Sequence, residues 1–506
     1  MKQLARDVLL IAIATGVSRV FGLFRDVAIA GRFGASAAYD AFLIAFFVPH
    51  FLRQLLAEGA LSTAFVPLYT QQRATGGDAD RFASNLLSWL ILIFPVTVGV
   101  GIALAPSYVP FLASGFSPEK LATAIRLTRI VFPFIALIGF ASVFMGILNS
   151  YHRFFAAALA PVWFNVGMIL GVLFLSPRFS HQPVLGMALG VLIGGGGQLL
   201  AQIPPLLRVG FHFRFVLVPI DPDIRRLLRR MAPAVLALAV TQINLLVDNK
   251  IASYLADGSI SSLQYGMRLF QLPLGVFAVS VATALLPRFS VARARGEDDR
   301  FTGYLNDGMV ASALVLLPAM VGLLVIGTDV IRLLFEHGTF TSADTVRTAR
   351  VLSYYLIGLV PYGWAYIFTR AFYALGRTFL PLVASSVAVA VNVALDLLLV
   401  SSMQEAGLAL ATAIAGVGSA LILGLFLRPR LAGAFAETAK RLGFVGMGSL
   451  ALAGVTFATR HVVGGDDTVL AVVAPLLGGL LFYGAFVRWS PLWALIGSLR
   501  REGMRR

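Results

Sequence analysis

The chain has 506 residues, of which 58% are hydrophobic and only 13% charged, and its mean hydropathy is +0.86. Soluble domains are about one quarter charged, so this composition excludes an ordinary soluble protein and indicates a polytopic helical membrane protein. The absence of cysteine excludes disulfides and thiolate chemistry. The net charge of +16 lies mainly in short loops, where it indicates membrane topology and not nucleic-acid binding.

Apolar runs, each close to the ~20 residues that a bilayer requires, recur along the whole chain. We predict about fourteen transmembrane helices, centred near residues 20, 55, 97, 135, 165, 196, 240, 275, 315, 360, 390, 417, 450 and 478. The first run could pass for a signal peptide, but Arg19, Arg25 and Asp26 interrupt it. It is therefore predicted to be a retained transmembrane helix.

Lys and Arg residues cluster in alternate loops. The basic set includes Lys2 and Arg6, Arg73 and Arg81, Arg153, residues 208–230, residues 288–300, Arg370 and Arg377, residues 428–441, and the tail from Arg500. The opposite loops carry few cations, among them Arg32, Lys120, Arg178 and Arg460. The positive-inside rule then predicts that both termini are cytoplasmic. An even number of spans agrees, because it places both termini on the same side of the membrane.

The chain also contains an internal repeat. Residues 63–67, followed by Gly76, Asp78 and Phe82, resemble residues 283–287, followed by Gly296, Asp298 and Phe301. A weaker echo pairs Pro133, Phe144 and Asn165 with Pro361, Phe372 and Asn392. Six helices separate the copies, so they have the same orientation, as in two-lobed transporters with a parallel repeat. We predict an N-lobe at 1–215, a C-lobe at 216–432, and two added helices with a basic cytoplasmic tail at 433–506.

Charged residues lie inside several apolar runs, where a charge costs at least ~2.5 kcal/mol on insertion scales. The cations are Arg19, Arg25, Arg53 and Arg268, and the nearby acids are Asp26, Asp40 and Glu58. If the two lobes face each other, the four arginines line one cavity, and their planar guanidinium groups favour a pyrophosphate or another polyanion. The alternative is that each arginine pairs with one of the acids and only holds helices together.

A second polar group lies in later runs and consists of Asp248, Asn392, Asp396 and Thr412. Asn392 and Asp396 are four residues apart and share one helical face. All four residues offer hard oxygen ligands, which suit small hard cations. A sodium or proton site is one interpretation, and a charge pair of Asp248 or Asp396 with Lys250 is the other.

Residues for enzyme chemistry are sparse. The six histidines are scattered without metal-ligand spacing, and the glycine run 194–197 lacks the Lys-Ser/Thr of a phosphate-binding loop. Close helix packing is the better interpretation of that run. We therefore predict a transporter without a catalytic cofactor.

The N-terminal motifs resemble those of one family. They are the segment 18–26 (SRVFGLFRD), Asp40-Ala41-Phe42, Pro49, Leu52-Arg53, the segment 57–60 (AEGA) and the segment 64–67 (AFVP). Together they resemble the MurJ (MviN) family of the multidrug/oligosaccharidyl-lipid/polysaccharide exporter superfamily. The resemblance implies fourteen helices, in two six-helix lobes and an added pair. It also implies a flippase for lipid II, the undecaprenyl-pyrophosphate-linked peptidoglycan precursor, in the bacterial inner membrane.

The resemblance also implies site residues. Arg19, Arg25, Arg53 and Arg268 match the family's cavity arginines, Asp40 matches its acidic partner at the mouth of helix two, and Asp248, Asn392, Asp396 and Thr412 match its sodium site. The added helices, about 440–489, resemble those thought to hold the lipid tail. Departures from the family pattern occur at His50, Gln54, Met267 and Gln271, and they put secondary contacts in doubt.

The sequence therefore predicts alternating-access transport of lipid II to the periplasmic leaflet, with Na⁺ or H⁺ as a coupling ion. The expected partners are lipid II, membrane lipids, and cell-wall synthesis and division proteins. Rival interpretations are a flippase for another lipid-linked oligosaccharide, a cation-coupled drug exporter, a membrane phosphatase, and a scaffold. Four cavity cations count against the drug exporter, and the lack of a nucleophile or metal-binding acid cluster counts against the phosphatase.

Overall fold

The computed structural model describes residues 2–54, 60–431, 435–463 and 468–493. Over these ranges the chain is helical and contains no β-strand, which confirms the all-α prediction. Glu58 and the predicted basic tail from residue 494 lie outside the described residues.

The chain forms two compact units. Unit 1 comprises Met1–Ser261 and Gly338–Phe340. Its helices are α1 (Lys2–Phe33), α2 (Ala37–Arg53), α3 (Ala60–Ala74), α4 (Ala79–Leu112), α5 (Pro118–Val131), α6 (Phe134–Ser150), α7 (Phe154–Leu170), α8 (Val184–Leu200), α9 (Ile203–Arg208) and α10 (Pro222–Ala252). A π-helical turn, Gly171–Leu175, and a 3-10 turn, Ser176–Arg178, extend α7.

Unit 2 comprises Ser262–His337 and Thr341–Arg506. Its helices are α11 (Ser259–Pro273), which begins in unit 1, α12 (Val279–Ala294), α13 (Asp298–Phe335), α14 (Ser342–Leu356), α15 (Leu359–Ala374), α16 (Phe379–Met403), α17 (Glu405–Leu431), α18 (Phe435–Val463) and α19 (Thr468–Trp489). A π-helical turn, Leu274–Ala278, joins α11 to α12.

Unit 1 extends beyond residue 215 because α4 holds the segment before α10. The backbone N–H of Arg214 donates to Ser84 Oγ (3.2 Å), and the backbone N–H of Val218 donates to Asn85 Oδ1 (3.1 Å). Both acceptor side chains lie on α4. Extended chain without strand partners needs such acceptors when it lies against a helix. The predicted lobe boundary at residues 215 and 216 stays a prediction.

Ten helices or continuous helix pairs are long and apolar enough to cross a membrane, and the bent pair α14–α15 makes an eleventh, in a search of the described residues. These eleven coincide with eleven of the fourteen predicted spans. The other three, centred on 20, 55 and 240, contain charged residues or fall on helices shorter than 18 residues. A polytopic membrane protein is therefore confirmed, whereas the number fourteen stays a prediction.

The internal repeat has a structural counterpart. The turn before α4 contains Gly76 (φ 73°), and the turn before α13 contains Gly296 (φ 70°). Glycine suits both places because a left-handed backbone conformation disfavours a Cβ atom. In each unit two buried rings pack across the turn, Phe65 on Phe82 and Phe289 on Phe301.

The glycine run on α8 packs helices, as predicted. A methyl group added at Gly194 would lie 2.6 Å from the carbonyl oxygen of Phe164, and one added at Gly195 would lie 2.7 Å from the ring of Phe134. Gly196 faces open space. Small residues thus let the backbones of α7 and α8 approach closely.

Two ion pairs join the added helix α18 to α13. Arg441 forms an ion pair with Asp307 (3.1 Å), and Arg460 Nε forms one with Asp329 Oδ2 (2.6 Å). The residue numbers of the paired residues increase in the same direction along both helices, so α13 and α18 run parallel.

Candidate functional site

Arg25 lies on α1 and is held on two sides. Its Nε and Nη2 donate to Oδ1 of Asp26 (3.0 and 2.7 Å), and its Nη1 donates to Oδ1 of Asn165 on α7 (3.0 Å). The amide of Asn165 in turn donates to the carbonyl of Ser18 (3.2 Å). The guanidinium is 13% exposed, so it is shielded and oriented but still reachable at one edge.

Arg53 lies at the end of α2, with its guanidinium 5.3 Å from the ring centroid of Phe164. This distance is typical of a cation–π contact, which positions the charge without neutralising it. Phe164 belongs to an aromatic cluster with Phe46 and Phe134. Because Phe164 and Asn165 are neighbours on α7, one turn of that helix positions both Arg25 and Arg53.

The other two predicted cavity arginines lie elsewhere. Arg19 is exposed on α1, about 9 Å along the helix axis from Arg25 at 1.5 Å per residue. Arg268 is half-buried on α11 in unit 2. The structure therefore places Arg25 and Arg53 against neighbouring residues of α7 within unit 1, and the convergence of all four arginines stays a prediction.

Asp40, at the start of α2, is buried and accepts four hydrogen bonds. The donors are Nζ of Lys120 (2.8 Å), the backbone N–H groups of Gly258 and Ser261 (2.8 Å each), and the Ser261 hydroxyl (2.6 Å). Lys120 also pairs with Asp257 (2.7 Å). The Asp40 carboxylate thus binds the N-terminus of α11, where the helix dipole favours a negative charge. A role for Asp40 in substrate binding stays a prediction.

Three of the four predicted cation ligands belong to unit 2. Asn392 and Asp396 lie on α16 and are buried, and Nδ2 of Asn392 donates to Thr412 Oγ1 on α17 (3.4 Å). Asp396 follows one turn after Asn392 on the same helix. The oxygen donors at this place are of the type that Na⁺ prefers.

Asp248, the fourth predicted ligand, lies on α10 in unit 1 and accepts from Asn244 (3.2 Å). Lys250, the alternative partner of these acids, places its ammonium 4.0 Å from the ring centroid of Phe111. In the described part of the chain, no cluster of three or more His, Asp or Glu residues could hold a metal ion. A sodium site would therefore depend on amide and hydroxyl oxygens as well as carboxylates.

The departures from the family pattern on α2 form contacts of their own. Gln54 accepts from Nε2 of Gln242 on α10 (2.5 Å) and contacts the ring of His50 (3.4 Å). These side chains link α2 and α10 within unit 1. The departures on α2 thus take part in contacts between helices.

Sequence reasoning missed the part played by α7. In the sequence, Asn165 stands out only as a member of the repeat, and Phe164 does not stand out from its apolar neighbours. A polar amide in the middle of the apolar segment 154–175 was the available signal, since such a group needs a partner in a membrane protein.

Comparison with known proteins identifies relatives along most of the chain. The family model described as "Lipid II flippase MurJ" matches residues 29–464. A probable lipid II flippase MurJ of Vibrio cholerae is 34% identical over 466 residues, covering 90% of this chain and 87% of that protein. The lipid II flippase MurJ of Burkholderia cenocepacia is 34% identical over 448 residues, covering 85% of this chain and 84% of that protein.

Solved structures agree with these relatives. A structure of lipid II flippase MurJ in an inward closed conformation matches with a TM-score of 0.80 and 32% identity, over 95% of this chain and 98% of that one. An inward-facing multidrug resistance MATE transporter of the MOP superfamily matches with a TM-score of 0.72 but only 15% identity, covering 82% of this chain and 95% of that one, and so shares the fold alone. The predicted resemblance is confirmed, as is the prediction of a transporter: the chain belongs to the MurJ lipid II flippase family.

Proposed function

We propose that this chain is a lipid II flippase of the bacterial inner membrane that moves its substrate from the cytoplasmic to the periplasmic leaflet. Membership of the family supports the substrate, and the two arginines positioned by α7 are the observation that supports a pyrophosphate-binding site. In this proposal both termini are cytoplasmic, in agreement with the alternation of loop charge.

The chemistry of the α7 site suits a pyrophosphate. A guanidinium binds phosphate oxygens through paired N–H donors and keeps its charge at every physiological pH. Arg25 contacts Asp26 and Asn165, and the ring of Phe164 contacts Arg53. Both arginines are proposed anchors for the substrate pyrophosphate, and Arg19 and Arg268 are proposed to bind it as well.

Alternating access requires contacts that hold one end of the transporter closed and then break. The four hydrogen bonds to Asp40 are of this kind, because they join α2 and α5 to the first turn of α11. We propose that transport separates α2 from that turn and exposes the headgroup on the opposite side of the membrane. The polyprenyl tail stays in lipid, beside the apolar residues that α18 and α19 expose, among them Leu450 and Leu481.

The decisive experiment is depletion–complementation in a bacterium that lacks its own lipid II flippase, with a parallel assay of lipid II exposed at the periplasmic face. We expect this chain to restore growth and exposure, and Arg53→Ala to abolish both at unchanged protein levels. Arg295→Ala is the matched control, since Arg295 is an exposed arginine at the end of α12. Growth on Arg53→Ala as the sole copy would overturn the cationic site.

A flippase for another lipid-linked oligosaccharide remains the second candidate function, because such a cargo shares the pyrophosphate. A well-expressed protein that restores neither growth nor exposure, in this host and in a closely related one, would favour that candidate.

We further propose that a cation binds beside Asn392, Asp396 and Thr412 of unit 2 and is coupled to the cycle, while Asp248 of unit 1 stays a predicted ligand. The fully buried Asp396 beside the Asn392–Thr412 pair supports the proposal, because a buried carboxylate is costly unless a cation or a proton accompanies it. If Na⁺ is the ion, it should raise the thermal unfolding midpoint of the purified protein relative to K⁺, and Asp396→Asn should remove the difference. Equal midpoints in Na⁺ and K⁺ for the unmutated protein would argue against a sodium site.

A further inference from the structure

One face of α5 carries unbalanced positive charge. The opposite face packs against α2 through a buried stripe of Ala124, Leu127 and Val131. At 100° per residue, Arg126 and Arg129 lie on the side of α5 directly away from this stripe, and both are exposed. They also lie at the end of unit 1 that the loop-charge alternation assigns to the periplasm, where cations are uncommon.

Two adjoining cavities lie over this face, with volumes of about 670 and 360 Å³. Arg126 and Gln182 line both cavities, and Nη1 of Arg126 donates to Oε1 of Gln182 (2.8 Å). Arg129 lines the larger cavity and Arg178 the smaller one, and Glu119 is the acid among the lining residues. In the described parts of the chain none of the three arginines forms an ion pair, so the cavities hold three cations against one carboxylate.

The wall of the larger cavity is apolar and lies at membrane level. Pro106 of α4 and Ile125 and Ile130 of α5 line it beside the arginines. On α4, Val100 and Leu104, which precede Pro106, are 50% and 52% exposed, as residues facing lipid are. Guanidinium groups next to an apolar wall at the end of a membrane-spanning helix match the junction between a phosphate headgroup and its acyl chains.

We propose that Arg126, Arg129 and Arg178 bind the phosphate headgroup of an anionic phospholipid, whose acyl chains lie along the apolar wall of α4. With the proposed topology the lipid belongs to the periplasmic leaflet. The site does not depend on the proposed flipping activity, because it requires only the cavities, the charge and the membrane level.

The repeat supplies a matched control. Helix α14 of unit 2 has the same buried stripe as α5, with Thr348, Val351 and Tyr355 in the places of Ala124, Leu127 and Val131. On its exposed face Arg350 corresponds to Arg126, but Ser353 stands in the place of Arg129. Arg347, three residues before Arg350, is paired with Glu405 (3.4 Å). An Arg350 variant therefore removes an exposed arginine from a helix whose neighbouring cation already has a counter-charge.

The test is native mass spectrometry of the full chain in detergent, titrated with phosphatidylglycerol or with phosphatidylcholine. We expect the unmutated protein to retain phosphatidylglycerol in preference to phosphatidylcholine. The double variant Arg126→Gln, Arg129→Gln should weaken retention of phosphatidylglycerol about tenfold or more, since each cation near the membrane surface contributes attraction to anionic lipid. Arg350→Gln should behave as the unmutated protein does.

Equal retention of the two lipids by the unmutated protein, or unchanged retention of phosphatidylglycerol by the double variant, would overturn the proposal. If lipid II displaces phosphatidylglycerol from the unmutated protein but not from the double variant, the occupant is the transported lipid and the phospholipid assignment is wrong. The thermal unfolding midpoint of each variant checks that the fold is intact. Arg178→Gln, in the 3-10 turn outside α5, tests the same cavity independently.

Discussion

Helices α7 and α16 are counterparts in the repeat, and each carries a buried asparagine with a different task. Asn165 of α7 accepts a hydrogen bond from Arg25, whereas Asn392 of α16 donates to Thr412 one turn from Asp396. In unit 1 the amide thus accepts from a cation, and in unit 2 the equivalent amide donates to a hydroxyl, with a buried carboxylate one turn away. The repeat preserves a polar position within the apolar segments, and the partners of that position differ between the units.

Interhelical ion pairs distinguish the units in the same way. In unit 1, Lys120 and Asp40 are almost fully buried, with 8% and 1% of their side chains exposed. In unit 2, Arg347 pairs with Glu405 at 3.4 Å, and the arginine is 28% exposed. Partial exposure weakens a pair because solvent screens it.

The largest expected effect is therefore the loss of the unit 1 pair. Lys120→Met leaves the buried Asp40 carboxylate without its cation, which costs about 3–5 kcal/mol in the free energy of unfolding. Arg347→Met should cost about 1 kcal/mol or less, because its pair is partly exposed. Both are measured by denaturant titration of the purified protein. Equal losses of unfolding free energy in the two variants would show that the burial of the ion pairs does not distinguish the two units.

Close helix packing gives the next effect. A methyl group at Gly194 on α8 meets the carbonyl oxygen of Phe164, so Gly194→Ala should destabilise the protein by about 1–3 kcal/mol. Gly418 lies on α17, which packs against α16, and has nothing within 4 Å of an added methyl group. Gly418→Ala should be neutral or slightly stabilising, because alanine favours a helix more than glycine does. The thermal unfolding midpoints of the two variants measure this difference. A lower midpoint for Gly418→Ala but not for Gly194→Ala would contradict the expected difference in packing.

The smallest effect concerns the turn that follows α6 in unit 1 and α15 in unit 2. His152 has φ 57° and Gly376 has φ 72°, so the same left-handed turn is made with a histidine in unit 1 and a glycine in unit 2. His152→Gly should stabilise the protein by up to about 1 kcal/mol, and Gly376→Ala should destabilise it by about 1–2 kcal/mol. The thermal midpoints should therefore move in opposite directions, and a shift of the same sign in both would contradict the role of the backbone at this turn.

The sequence by itself determined the helical class, the membrane setting, the repeat and the residues that carry charge into apolar segments. These features are local, because composition, run length and spacing decide them before any tertiary contact forms. The repeat could be recognised from Gly76 and Gly296 since a left-handed turn strongly limits the choice of residue. Eleven of the fourteen predicted spans coincide with candidate spans of the structure for the same reason. The other three contain charged residues or fall on short helices.

Only the tertiary structure decided which partner each charge has. Asp40 is near Arg53 in sequence but binds Lys120 and the start of α11. Arg25 and Arg53 each contact α7, more than a hundred residues away along the chain. Neither composition nor spacing contains such distances, because they follow from the packing of helices that are far apart in sequence. The charge-bearing residues of the candidate site could thus be predicted, while their arrangement depended on the fold.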